Sequence, residues 1–179
     1  MVDESYIEFS PLAKSVLHLR QYPVLILRSL TKSCRIPGLR VGFVIGHESV
    51  IRQLRKCKMP WSVNRLAIEA ALYIFRHRDT FTVPVTSLLA ATAEWRRELA
   101  EATGWKVWDT DTHYFLLETP ASFTAAQLKL HLVSNHGLLI RDAANFKGLG
   151  PHHFRVACQS PEQNQLLTQA LRECSRTGI

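Results

Sequence analysis

The run YPVLILRSL, Tyr22 to Leu30, constrains this chain more than any other feature. Its aliphatic and β-branched residues follow one another without the alternation of a strand that has one wet face. A run of this kind is the signature of a strand buried on both faces of a parallel sheet, and so of an α/β architecture. The flanking segments agree. YIEFS, Tyr6 to Ser10, alternates apolar and polar side chains and reads as the end of a preceding strand. GLRVGFVIG, Gly38 to Gly46, reads as a third short strand punctuated by glycine.

Helical spacing follows. Val50, Ile51, Leu54 and Cys57 predict a helix over His47–Lys58, stopped by Pro60. A second helix is expected over Asn64–Arg76. A long one follows Pro84, with Leu88, Leu89, Thr92, Trp95 and Leu99 on one face. Beyond Gly104 the texture changes: WKVWDTDTHYFLLET predicts two short strands around a turn. Thr124 with Gln127 forms a capping box for a helix that Gly137 closes. GLLIRDAANF and HHFRVACQ read as strands. Ser160, Pro161 and Gln163 then open a final helix through Leu166, Leu167, Ala170, Leu171 and Cys174. This order predicts an α/β portion over residues 1–84, a connecting long helix over 85–104, and a small α+β domain over 105–179.

Bulk properties narrow the function classes. The chain has 179 residues, 46% hydrophobic and 21% charged, which is the composition of a globular protein. No apolar run is long enough for a membrane span, and the acidic start MVDESYIEFSP has no secretory pattern. Four cysteines without CxxC spacing suit free thiols in a reducing cytoplasm. The net charge of +7 is dispersed over the polar sides of helices, which argues against nucleic acid and for an anionic small molecule. The eight histidines lack HExxH spacing, so no metal site is expected. A hydrolase is not expected either, because no nucleophile elbow is present.

The chemistry concentrates in RSLTKSCRIPGLRVG, Arg28 to Gly42. Lys32 stands among hydroxyl side chains at the end of a buried strand. A lysine that attacks a carbonyl to form a Schiff base needs such a desolvated setting. Ser29 and Thr31 can donate hydrogen bonds to an anion, and Arg40, past the Pro37-Gly38 turn, can clamp a phosphate bidentately. An imine-forming amine beside a phosphate clamp describes pyridoxal 5′-phosphate (PLP) binding, and a strand-loop-strand with surface cations accounts for the same residues equally well. Asp3 and Tyr6, in DESY, add a carboxylate for a pyridine nitrogen and a phenol for the ring oxygen.

The pair DESYIEFS and SLTKSCRIPGLRVG resembles the fold-type-I PLP enzymes of the class I/II aminotransferase superfamily. KMPWSVNRLA, LLIRDAANFKGL and FRVACQSPEQNQLL narrow the resemblance to the branch of histidinol-phosphate aminotransferases and L-threonine-O-3-phosphate decarboxylases. The resemblance implies the C-terminal part of a PLP-transferase fold: the end of a mostly parallel sheet plus a small α+β domain. It implies that Lys32 carries PLP as an imine and moves protons. Ser29 and Arg40, with Thr31 nearby, would hold the cofactor phosphate, Asp3 would pair the pyridinium nitrogen, and Tyr6 would contact the 3′-oxygen. Arg155 would bind the substrate α-carboxylate, with Arg141 and Asn145 lining the pocket. The substrate implied is a small phosphorylated amino compound and the assembly a cytoplasmic homodimer, with Trp61 in a segment crossing toward the partner.

The expected reaction is decarboxylation of threonine phosphate, as in cobalamin biosynthesis, with transamination as the alternative. Family members run to about twice this length. The chain begins at the aspartate strand, without a glycine-rich phosphate cup, so a fragment completed by further polypeptide is expected. A catalytically silent binding fragment is the reading from a different class. Gln159 stands where a second arginine is expected in this branch.

Overall fold

The structure is a computed structural model and describes residues 1–179. The chain divides into two compact units, Met1–Val85 and Thr86–Ile179.

The first unit holds three short strands, β1 (Val2–Asp3), β2 (Ile26–Ser29) and β3 (Gly42–Ile45), in the order β1-β2-β3. The β1–β2 pair is parallel and the β2–β3 pair antiparallel. The apolar run from Tyr22 therefore contributes only its second half to the sheet. Gly42 shows why β2 and β3 lie so close: a Cβ there would meet the Arg28 carbonyl oxygen at 2.6 Å. Two helices follow, α1 (Glu48–Cys57) and α2 (Arg65–Arg76). Asn64 caps α2, its side-chain oxygen accepting the Ala67 N–H at 2.8 Å. Leu30, Val41, Ala67 and Ile74 form the buried cluster of this unit.

Tyr6–Ser10 corrects the sequence expectation. Ile7–Phe9 form a 3-10 helix rather than a strand end, and only Phe9 of it is buried. The side-chain alternation there reports one buried face, which a single tight turn satisfies as well as a strand does.

The second unit is built on α3 (Val85–Thr103) and a four-stranded sheet of order β4-β5-β7-β6, antiparallel throughout. The strands are β4 (Lys106–Val107), β5 (Tyr114–Glu118), β6 (Arg141–Asp142) and β7 (His153–Ala157). α4 (Ala125–His136) has the expected Thr124–Gln127 capping box, and Gly137 ends it in the left-handed conformation, φ 65°. α5 (Pro161–Thr177) starts at Ser160, whose hydroxyl accepts the Gln163 N–H. Trp95 and Leu99 of α3 belong to this unit's core with Phe115, Leu117, Phe154 and Leu171, so the long helix is built into the second unit. The strand expected along GLLIRDAANF shortens to two residues. The Asp142 carboxylate turns back to accept the Ala144 N–H at 2.9 Å, which ends the ladder. No helix is long and apolar enough to cross a membrane.

Candidate active site

Strand direction assembles the site in the first unit. β1 and β2 are parallel, so both carboxyl ends lie at one edge of the sheet, and antiparallel β3 begins at that edge. Asp3 closes β1, Ser29 closes β2 and Gly42 opens β3. Tyr6, Thr31, Lys32 and Arg40 sit on the segments that leave or enter there. The carboxyl ends of parallel strands are the customary ligand position of α/β sheets.

Lys32 is half-buried, and its Nζ lies 4.6 Å from the centroid of the Tyr6 ring. The ring face holds the ammonium by its quadrupole. Asp3 is exposed, and its Oδ1 accepts the Ser5 N–H at 2.9 Å. The Ser5 hydroxyl and amide hold the Asp3 carboxyl below its ordinary value, with a smaller contribution from the charge of Lys32. The hydroxyls of Ser29 and Thr31 are 2.7 Å apart, and Thr31 is buried. The Leu30 N–H bonds the Val41 carbonyl at 3.3 Å, which extends the β2–β3 ladder by one step. Thr31 and Arg40 consequently flank the mouth of the intervening loop. Arg40 is exposed with left-handed backbone, φ 53°, and its guanidinium donates to the Pro37 carbonyl at 3.0 Å. An amine, a carboxylate, a phenol, two hydroxyls and a guanidinium thus share one sheet edge. This donor set suits a phosphorylated aromatic aldehyde, for which the amine would take the aldehyde and the hydroxyls and guanidinium the phosphate.

The same segments hold a network that sequence reasoning missed. Glu4, 5% exposed, accepts the Val16 N–H at 2.7 Å and the Ser15 hydroxyl at 3.0 Å, and pairs with Arg28 at 2.7 Å. Arg28 also reaches Glu8 at 3.3 Å. Burial pushes the Glu4 carboxyl up, but the Val16 amide, the Ser15 hydroxyl and Arg28 outweigh it and hold the group below its ordinary value. The buried carboxylate beside β1 is thus Glu4, next to the exposed Asp3. The available signal was Arg28 itself, a charge inside an otherwise apolar run, which requires a partner.

Arg155, Arg141 and Asn145 gather in the second unit. Arg155 on β7 lies directly opposite Arg141 on β6, and Arg141 donates to Asn145 Oδ1 at 3.3 Å. Arg155 borders two cavities. One, of about 340 Å³, is walled by Trp108, Tyr114, Phe146 and Leu149. The other, of about 440 Å³, is walled by Leu138, Arg141, Gln159 and Gln163. Trp61, in the first unit, is 97% exposed with φ 56°.

Comparison with known proteins agrees with this chemistry. The family model for class I and II aminotransferases matches residues 1–171. The threonine-phosphate decarboxylase of Salmonella typhimurium is 32% identical over 190 residues, covering 100% of this chain and 49% of that protein. The histidinol-phosphate aminotransferase of Chlorobium phaeovibrioides is 27% identical over 172 residues, covering 96% of this chain and 46% of that protein. The crystal structure of L-threonine-O-3-phosphate decarboxylase from Porphyromonas gingivalis superposes with a TM-score of 0.87 at 33% identity, over 96% of this chain and 53% of that one. The chain spans about half the length of the curated relatives it matches. With the match running nearly from end to end, this chain belongs to the class I and II aminotransferase family of PLP-dependent enzymes.

Proposed function

We propose that these residues carry the cofactor lysine and the substrate-anion arginine of a PLP-dependent decarboxylase acting on L-threonine O-3-phosphate. The observation that carries this reading is the gathering of Asp3, Tyr6, Ser29, Thr31, Lys32 and Arg40 at one edge of the first sheet. The bound cofactor supplies an electron sink for the charge that develops at the substrate Cα. Lys32 anchors it and afterwards moves protons. Ser29, Thr31 and Arg40 hold the phosphate, and Tyr6 meets the ring oxygen. The Asp3 carboxylate keeps the pyridine nitrogen protonated. Arg155 binds the substrate carboxylate, with Arg141 and Asn145 beside it for the second anionic group.

Identities of 32% and 33% to the two decarboxylases, against 27% to the aminotransferase, favour loss of carbon dioxide over transamination. Transamination of histidinol phosphate is the second reading, supported by the shared family. The two would differ in whether the carboxylate or the proton leaves the substrate Cα. The protein works as a cytoplasmic homodimer in this reading. The exposed side chains of Met59, Trp61 and Leu66 support a protein contact, and four free cysteines support a reducing compartment.

The test is PLP capture. The chain is mixed with PLP, reduced with borohydride and digested. The cofactor mass is expected on the peptide holding Lys32, and Lys32→Ala is expected to lose it. Threonine phosphate added to the unreduced protein should then release carbon dioxide without 2-oxoglutarate. Cofactor mass spread over surface lysines, unchanged by Lys32→Ala, would sink the reading. Amino transfer to 2-oxoglutarate without carbon dioxide would replace decarboxylation with the second reading.

A further inference from the structure

Two like charges stand face to face on the second sheet. Arg141 and Arg155 are directly opposite on neighbouring strands, an arrangement that costs stability through repulsion unless something offsets it. Each guanidinium is faced by an aromatic ring, and that of Arg141 also donates to Asn145 Oδ1 at 3.3 Å. Arg155 lies over the Tyr114 ring at 4.9 Å from its centroid, and Arg141 lies over the Phe146 ring at 5.8 Å. A ring face and a carboxylate both hold a guanidinium, with different consequences. A carboxylate cancels the charge and occupies the N–H fork. A ring takes one flat face and leaves the charge and the in-plane donors available.

The register shows how Tyr114 comes to its place. Leu116 is opposite Arg155, and Tyr114 is opposite Ala157, so Tyr114 is the diagonal neighbour of Arg155 on the same face of the sheet. The other face, carrying Phe115, Leu117, Phe154 and Val156, is buried in the core. The Tyr114 backbone is itself pinned, because the hydroxyls of Thr110 and Thr112 donate to its carbonyl at 2.8 Å and 3.2 Å. His113 alongside adds no competing cation: burial first, and the charge of Arg155 second, hold its ring below the ordinary histidine value.

We propose that Tyr114 is a positioning residue, whose ring face sets the guanidinium of Arg155 edge-on toward an exogenous carboxylate or phosphate. Phe146 does the same for Arg141, more weakly at its greater distance. The proposal rests on the reading of Arg155 as the substrate-anion residue.

The experiment is calorimetric titration of the full chain with O-phospho-L-threonine at low salt, for the unaltered protein, Arg155→Gln, Tyr114→Leu and Tyr114→Phe, with a thermal melt of each. Arg155→Gln should weaken binding tenfold or more. Tyr114→Leu should weaken it about three- to tenfold, the size expected of one cation–π contact. Tyr114→Phe keeps the ring and should bind within about twofold of the unaltered chain. A merely structural tyrosine would lower the melting temperature and leave the affinity of the folded protein unchanged. Unchanged affinity in Tyr114→Leu, or an equal loss in Tyr114→Phe, overturns the role of the ring while leaving Arg155 in place. No binding by the unaltered chain, or full binding by Arg155→Gln, removes the Arg155 reading and Tyr114 with it. Cofactor capture at Lys32 is judged separately by its covalent mass.

Discussion

The two units bury themselves in different ways. In the second, Phe115, Leu117, Phe154, Leu128, Leu132 and Leu171 are almost wholly shielded, and helices α3, α4 and α5 supply the rest of a continuous apolar core. In the first, the buried cluster is four residues, and a charged network of Glu4, Arg28 and Glu8 lies beside the sheet. Met59, Trp61, Leu66 and Tyr73 stay exposed there, and the outer strands β1 and β3 each leave one edge unpaired. The second unit is held by an extensive apolar core, and the first by a smaller one with a charged network beside its sheet. Fewer buried apolar contacts make local opening cheaper, so the first unit should be the less stable of the two. Hydrogen exchange should find the slowest amides in β5 and β7. Slower exchange in β2 than in β5 would reverse the comparison.

Substitutions sharpen it, beginning with the largest effect. Phe154→Ala should cost about 3–5 kcal/mol and move only the unfolding transition of the second unit, because Phe154 is completely buried in that core. If a denaturant melt shows both units shifting together, they unfold as one and the comparison fails. Glu4→Gln should cost about 3 kcal/mol in the first unit, by leaving Arg28 without its buried partner. The sign with pH follows from the depressed Glu4 carboxyl. Its stabilising contribution is complete above the ordinary value of 4.5 and is lost as pH falls through the lower folded value. The first unit should therefore lose stability in acid, and Glu4→Gln should flatten that slope; an unflattened slope would assign it to other carboxylates.

Smaller effects test the packed unit at single bonds. Thr168→Val leaves the Trp95 indole N–H, now 3.0 Å from the Thr168 hydroxyl, without an acceptor, which should cost about 1–3 kcal/mol. Thr124→Ala removes the α4 cap and should cost about 1 kcal/mol in the same denaturant melt. A loss of several kcal/mol from the cap alone would mean that α4, rather than the sheet packing, limits the second unit.

What could be read from the residues was local. The Thr124–Gln127 box, the close of α4 at Gly137 and the Ser160 start of α5 all join groups within a few positions, so residue type and spacing suffice to predict them. Lys32, Ser29, Thr31 and Arg40 were legible as a group for the same reason: the end of β2 and the loop after it carry them. The 3-10 turn at Ile7–Phe9, the antiparallel course of β3 and the pairing of Glu4 with Arg28 across 24 residues were not. Arg155 stood out only through the family resemblance, and the Tyr114 ring under its guanidinium did not stand out at all. These features depend on which strands become neighbours and in what register. That choice is made by burial summed over many distant side chains, and it appears in the folded molecule and not in any short stretch of it.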